Sequence, residues 1–296
     1  MMYPSYLNLF QTGELKKRVE KALSMLKKCN VCPHKCEVNR LKNEKGICKT
    51  GRNAIVSSYF PHHGEEFPIR GYSGSGTIFI TNCNLKCVYC QNYDISQLGQ
   101  GEEITANELA KVMLTLQSQG CHNINFVTPS HVVPQILEAL LIAVENGLKI
   151  PIVYNTSSYD SIETLKLLEG IVDIYLPDFK YADNSLAEKY SKIKNYFDIA
   201  SKAIKEMHKQ VGDLVTDSNG IAIKGVLVRH LVLPNNIAGT EKIVKFLKSL
   251  SPYFAINIMA QYHPCYKAFE YPELSRRITE KEYKTALSYA KNLINY

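Results

Sequence analysis

The chain of 296 residues is 45% hydrophobic and 21% charged, with a formal charge of +7; this is too apolar for a disordered chain, and 16 Gly and 12 Pro exclude collagen-like or linker-like character. No apolar run reaches membrane-spanning length, since residues 131–144 are broken by His131, Pro134 and Glu138. The first residues lack a basic region followed by an apolar core, so a cytoplasmic protein is expected.

Residues 14–28 (ELKKRVEKALSMLKK) repeat Val19, Leu23 and Leu26 at helical spacing among lysines. Residues 1–60 carry 12 Lys/Arg against 4 Glu, so the basic excess of the whole chain sits here. It could serve an acidic partner or nucleic acid, but a solvated face of a lysine-rich helix is the simpler reading.

Four of the 9 cysteines follow: Cys29, Cys32, Cys36 and Cys48. In a reducing compartment, clustered cysteines read as metal ligands. Four thiolates complete a tetrahedral sulfur set, which suits a structural zinc or a [4Fe–4S] cluster. Residues 29–52 have no apolar period, so a metal is expected to organise them. Residues 53–76 read as irregular, and HHGEEFPIRG (62–71) as a charged surface linker in which His62, His63, Glu65 and Glu66 could also face a substrate. The expected division is an N-terminal helix and cysteine-rich metal-binding extension over 1–70, and a second domain over 71–296.

From Thr77 onward, short apolar runs alternate with helical segments. The runs are 77–81, 124–128, 150–155, 171–176, 221–233 and 254–260. Thr105 with Glu108, and Thr279 with Glu282, are capping-box patterns. Gly147 is a stop for a helix over 131–146, and Asn219-Gly220 is a turn. Six such units predict parallel βα repeats with right-handed crossovers in an α/β fold, a partial (β/α)6 barrel of TIM type more than an open sheet.

Sites in such folds lie at the C-terminal ends of the strands. The residues following the runs are Asn82 and Cys83; Thr128, Pro129, Ser130 and His131; Asn155, Thr156 and Ser157; Asp178 and Lys180; Arg229 and His230; and Gln261, Tyr262 and His263. Each run delivers polar or ionisable groups to one rim. Strand alternation puts Arg229 and His230 on opposite faces. Cys121 and Cys265 read as packing thiols.

After the first run stands CNLKCVYC, with Cys83, Cys87 and Cys90. Three thiolates in eight residues are one short for a closed zinc site. They can hold a cubane iron–sulfur cluster with one iron left open. This loop, CNLKCVYCQN, resembles the cluster loop of radical S-adenosylmethionine (SAM) enzymes. The resemblance implies that the open iron chelates SAM, that the reduced cluster cleaves SAM to methionine and a 5′-deoxyadenosyl radical, and that this radical abstracts a hydrogen atom from substrate. It also implies a partial (β/α)6 barrel.

Asn92, the segments DFK (178–180), VLVRHLVLP (226–234) and QYHP (261–264) are similar to those of pyruvate formate-lyase-activating enzymes. CNVCPHKCEVNR (29–40) is similar to a stretch in uncharacterised relatives of that activase. Carried over residue by residue, the resemblance implies that Cys83, Cys87 and Cys90 hold the cluster and that Tyr89 shields it near the adenine. It places Asp178, Lys180, Arg229 and His263 near SAM, with Asn92 after the cysteine loop; the amide of Asn155, at the end of the third run, could bind the ribose hydroxyls or the SAM amino group. The family's acidic segment after the second strand is absent: VTPSHVVP (127–134) stands there, so Thr128, Ser130 and His131 are expected to substitute.

The resemblance implies a glycyl-radical enzyme as partner, or another protein or small-molecule substrate, and a reduced flavodoxin or ferredoxin-like electron donor. A metal-binding module that meets nucleic acid is the competing class. The polar rim of Asp178, Lys180, Arg229 and His263 disfavours it.

Overall fold

The computed structural model describes residues 3–291 and 293–295. The elements run α1 (Tyr6–Gln11), α2 (Glu14–Ser24), β1 (Ala54–His62), α3 (Phe67–Arg70), β2 (Ser75–Ile80), α4 (Tyr93–Ser96), β3 (Glu102–Ile104), α5 (Ala106–Ser118) and β4 (Ile124–Val127). Then come α6 (Val133–Glu145), β5 (Ile152–Thr156), α7 (Ile162–Leu168), β6 (Ile174–Pro177), α8 (Asn184–Ser191), α9 (Tyr196–Val211) and β7 (Val215–Thr216). The last are β8 (Ala222–Leu231), α10 (Thr240–Leu250), β9 (Ala255–Met259), α11 (Glu280–Ala290) and β10 (Ile294–Asn295).

Strands β2, β4, β5, β6, β8 and β9 are parallel neighbours in that order. They fall on the six apolar runs. Helices lie between consecutive strands, as short apolar strands joined by amphipathic segments require. Both capping boxes form: Thr105 with Glu108 opens α5, and Thr279 with Glu282 opens α11. The 131–146 helix begins only at Val133, because Pro129–His131 make a 3-10 turn.

The sheet is strongly curved. Adjacent residues Glu65 and Glu66 accept hydrogen bonds from Asn125 Nδ2 on β4 (3.4 Å) and Asn257 Nδ2 on β9 (2.9 Å). In a flat sheet β4 and β9 would lie four strand spacings, roughly 19 Å, apart. The strands therefore wrap around a shared interior, as a partial barrel. Its floor is apolar: Ile69 of α3 packs against Val153, Ile174, Leu176, Leu227 and Ala255. The larger core lies outside the barrel, under the helices. It includes Tyr6, Leu15, Val19 and Leu26 of the N-terminal segment together with Leu137 and Leu140 of α6. Lys16, Lys17 and Lys21 on the opposite side of α2 are exposed.

Two expectations are corrected here. Residues 53–76 are not irregular: β1 runs antiparallel to β2 and pairs β3 on its other side, extending one barrel edge. Its period-2 pattern is short, because only Ala54 and Val56 are buried and Ser57, Ser58 and Pro61 interrupt the alternation. Residues 62–71 are not a surface linker either. They turn under the barrel floor and send Ile69, fully buried, and Glu65 inward. Among the described residues, no helix is long and apolar enough to cross a membrane.

Candidate active site

Strand β2 ends at Ile80 and the chain passes through Asn82, in left-handed conformation (φ 68°), into the three-cysteine loop. Asparagine tolerates that backbone better than branched residues do. The loop is pinned to the end of α8: Lys86 N donates to Ser191 O (2.9 Å), and Val88 N to Tyr190 O (2.8 Å). On its far side Lys267 N donates to Val88 O (2.9 Å) and Cys265 Sγ to Tyr89 O (3.3 Å).

Each sulfur has its own polar neighbour. Leu85 N donates to Cys83 Sγ (3.3 Å), Cys87 Sγ is bonded to Ser191 Oγ (3.0 Å), and Cys90 Sγ to Ser96 Oγ (3.0 Å). Burial, then the neighbouring thiol of Cys87, push Cys83 up to about 12. Burial pushes Cys87 up to about 11 although the Lys180 charge pulls it down. Such thiols become thiolates when a cation takes the place of the proton. Hydrogen bonds to sulfur then tune the centre they hold. The three-sulfur set therefore fits a cluster held by three protein ligands. Among the described residues, no three His, Cys, Asp or Glu side chains are gathered tightly enough to hold a bare metal ion.

Tyr89 is buried in the loop, edge-on to Tyr262 after β9 (5.9 Å) and Tyr181 after β6 (6.4 Å). Asn92 is exposed and precedes α4. His263 Nδ1 lies 3.2 Å from Gln91 Nε2 of the same loop. These contacts bring His263 beside the cysteine loop.

Behind the loop, charges alternate along the barrel interior. Lys180 Nζ lies 2.7 Å from Asp178 Oδ2, and Asp178 Oδ1 2.9 Å from Arg229 Nε. Arg229 Nη1 lies 3.1 Å from Glu65 Oε2, and Nη2 donates to Asn155 Oδ1 (2.7 Å). Burial works to raise the Asp178 carboxyl, but Arg229 and Lys180 outweigh it and hold it below the ordinary range. For Lys180, burial favours the neutral form, but Asp178 wins and the amine is raised. Burial pushes Glu65 up to about 7 against the pull of Arg229.

Arg229 is thus inside, as strand alternation with an inward arginine requires. His230 is fully buried on the outer face between Phe179 O (2.6 Å) and Thr240 Oγ1 (2.9 Å). A buried strand arginine needs an anionic partner. The structure supplies two from the chain itself, Asp178 and Glu65. The sequence offers Glu65 only as part of a charged linker that could face a substrate; the turn of residues 62–71 under the barrel is what brings it to Arg229.

Two of the three proposed substitutes after β4 lie elsewhere. Ser130 is buried in the outer layer, bonded to Thr156 Oγ1 (2.9 Å), which donates to Asp160 (2.6 Å). His131 is buried and lines a small cavity with the four N-terminal cysteines. The physical reason is the left-handed Thr128 (φ 64°), which turns the chain away from the mouth into the 3-10 turn. Thr128 itself stays at the strand end, half-buried, its N–H donating to Asn155 O (2.9 Å).

The cavity that His131 lines is walled by Cys29, Cys32, Cys36 and Cys48, with His34 and Arg40. The loop closes tightly: Cys29 N donates to Val38 O (3.0 Å), and Glu37 N to Cys29 O (2.9 Å). A Cβ at Gly46 would stand 2.8 Å from Cys36 Sγ, so the chain passes only because residue 46 has none. Cys121 is buried, and Cys265 half-buried.

The family model described as the Radical SAM superfamily matches residues 77–232. An uncharacterized protein of Methanocaldococcus jannaschii is 39% identical over 284 residues, 93% of this chain and 77% of that protein. The pyruvate formate-lyase-activating enzyme of Clostridium pasteurianum is 27% identical over 198 residues, 61% of this chain and 76% of that enzyme. In structure, the chain is similar to HydG, a maturase of the [FeFe]-hydrogenase, with a TM-score of 0.52 and 14% identity over 73% of this chain and 48% of that one. It therefore spans about half of that structure, and the likeness is one of fold. With the family match over the barrel strands and their three-cysteine loop, the chain belongs to the radical SAM superfamily.

Proposed function

We propose that this chain is a radical SAM enzyme that acts on a protein partner in the manner of glycyl-radical-enzyme activases. Membership in the superfamily implies a [4Fe–4S] cluster and SAM. The supporting observation is the loop of Cys83, Cys87 and Cys90, each sulfur hydrogen-bonded, set at the end of β2 beside the Lys180–Asp178–Arg229 chain. When bound, the cluster supplies the electron that cleaves SAM to methionine and a 5′-deoxyadenosyl radical.

The residues of the chain have separable tasks. Cys83, Cys87 and Cys90 hold the cluster and leave one iron for SAM. Lys180, close enough to Cys87 to bias its charge, offers a cation to the SAM carboxylate. Asp178 and Glu65 hold Arg229 in place, and Arg229 positions Asn155 at the mouth. Tyr89, Tyr181 and Tyr262 make an aromatic wall that keeps water from the loop. The activase reading rests on the likeness to the Clostridium pasteurianum enzyme, and the same chemistry on another protein or a small molecule is the alternative.

The test is anaerobic. Reconstituted protein with dithionite and SAM is expected to release 5′-deoxyadenosine. No release from protein with a full cluster rejects the enzyme reading. A glycyl electron paramagnetic resonance signal on mixing with a glycyl-radical enzyme separates the activase from other substrates.

A further inference from the structure

Resting on that reading, we infer that Cys29, Cys32, Cys36 and Cys48 hold a second, redox-active iron–sulfur cluster that feeds electrons to the Cys83 loop, with Arg40 as its charge partner. Arg40 is 1% exposed, yet its hydrogen bonds go to two neutral carbonyls, Gly51 O (3.0 Å) and His131 O (2.7 Å). Its Nη1 lies 3.9 Å from Cys29 Sγ, and its Nη2 is buried with no partner. A guanidinium keeps its charge under all ordinary conditions, and burying it without a counter-charge is costly. Four thiolates around a metal centre carry the missing negative charge. The spare N–H of Nη2 matches the inorganic sulfides of a cluster, acceptors that a zinc tetrathiolate lacks.

Position separates an electron carrier from a structural staple. Two imidazoles line the cavity, and both bond to the strand end that carries Cys83. His34 Nε2 donates to Asn84 O (2.6 Å), the residue peptide-bonded to Cys83. His131 Nε2 donates to Thr81 O (3.2 Å), and its Nδ1 is buried without a partner. Asn82 Nδ2 reaches Thr50 Oγ1 (3.5 Å), next but one to Cys48. This set leans directly on the strand end that leads into the redox loop. The step moves one electron and no atom. A low-potential donor of the reduced ferredoxin or flavodoxin class is oxidised, the cluster at the four cysteines is reduced, and it is re-oxidised as the electron passes to the cluster at Cys83.

The experiment is elemental analysis with electron paramagnetic resonance on the anaerobically reconstituted full chain. The expected result is about eight iron and eight sulfide per chain with no stoichiometric zinc, and a dithionite-reduced spectrum broadened by two interacting clusters. Cys32→Ser/Cys36→Ser should halve the iron and leave one narrow signal that still changes on adding SAM. Arg40→Met, should the double variant not fold, is expected to shift one of two midpoint potentials downward, since a positive charge beside that cluster is lost. His34→Gln should keep all the iron but slow reduction of the Cys83 cluster by reduced ferredoxin about tenfold. About four iron and one zinc per chain, with 5′-deoxyadenosine release intact, would overturn this inference and leave the proposed function standing. Absence of release with both clusters filled would reject the proposed function instead. Two non-interacting signals, with neither midpoint moved by Arg40→Met, would also overturn the inference.

Discussion

Glu65 meets Arg229 inside the barrel, Oε2 to Nη1 at 3.1 Å, although 164 residues separate them. The pair ties the segment under the floor to the strand that carries the site. Arg229→Met leaves Glu65 buried without its cation and Asp178 with Lys180 alone, and is expected to cost about 3–5 kcal/mol. Glu65→Gln keeps the shape and a hydrogen-bond acceptor, so its cost should be about 1 kcal/mol. Anaerobic urea denaturation of the two variants measures both, and equal costs would refute a buried ion pair.

Lys180 lies 2.7 Å from Asp178 and biases Cys87. Lys180→Met removes a charge-assisted contact of about 1.5–3 kcal/mol, which is a fall of about 10–150-fold in SAM affinity. Iron content should not change. Equilibrium binding of SAM to the reconstituted variant checks the first, and iron analysis the second.

His131 turns toward the four-cysteine cavity and away from the barrel mouth. His131→Ala is therefore expected to lower metal retention at that set while SAM affinity stays within about twofold. Burial and the Arg40 charge push its imidazole down to about 3, so it is neutral. Metal content and SAM binding measured on the same preparation decide the matter; weaker SAM binding with full metal content would return His131 to the mouth.

A Cβ at Gly46 would stand 2.8 Å from Cys36 Sγ, inside van der Waals contact. Gly46→Val must displace Cys36 or the loop. The expected loss is the metal of the four-cysteine set, about half of the total if both sets bind clusters. Iron per chain is the readout, and an unchanged count would show that the loop yields without cost.

Asp173 anchors the N-terminal segment by accepting from Ser5 N (3.3 Å) and Ser5 Oγ (2.5 Å). Burial raises its carboxyl from 3.8 to about 6, against the pull of the Ser5 hydrogen bonds. The folded chain thus keeps a proton that the unfolded chain releases between about pH 4 and 6. Stability from this group is fully present below that window and is lost as pH rises through 6. Asp173→Asn removes the dependence, and should gain about 1–3 kcal/mol relative to the natural chain between pH 4.5 and pH 7.5. Denaturation at the two pH values tests the sign.

Much of this protein is legible locally. Short apolar runs with helical segments between them determine six parallel strands, because each run must be buried on both faces. The spacing of Cys83, Cys87 and Cys90 marks a three-ligand sulfur loop, and two capping boxes announce their helices. What the sequence could not disclose depends on direction and on distance along the chain. Thr128 adopts a left-handed turn that sends Ser130 to the outer layer and His131 to the four-cysteine cavity. One dihedral reverses their assignment, and no periodicity records it.

Glu65, Arg40 and His34 are ordinary polar or charged residues in polar segments until the chain folds. The barrel floor then buries Glu65 against Arg229, and the loop of residues 29–52 settles on the strand end that bears Cys83. Local pattern determined which residues could bind sulfur-loving metals. Only the tertiary structure decided which charges are buried beside them, because burial comes from contacts between residues far apart in the chain, where desolvation makes every unpaired charge expensive.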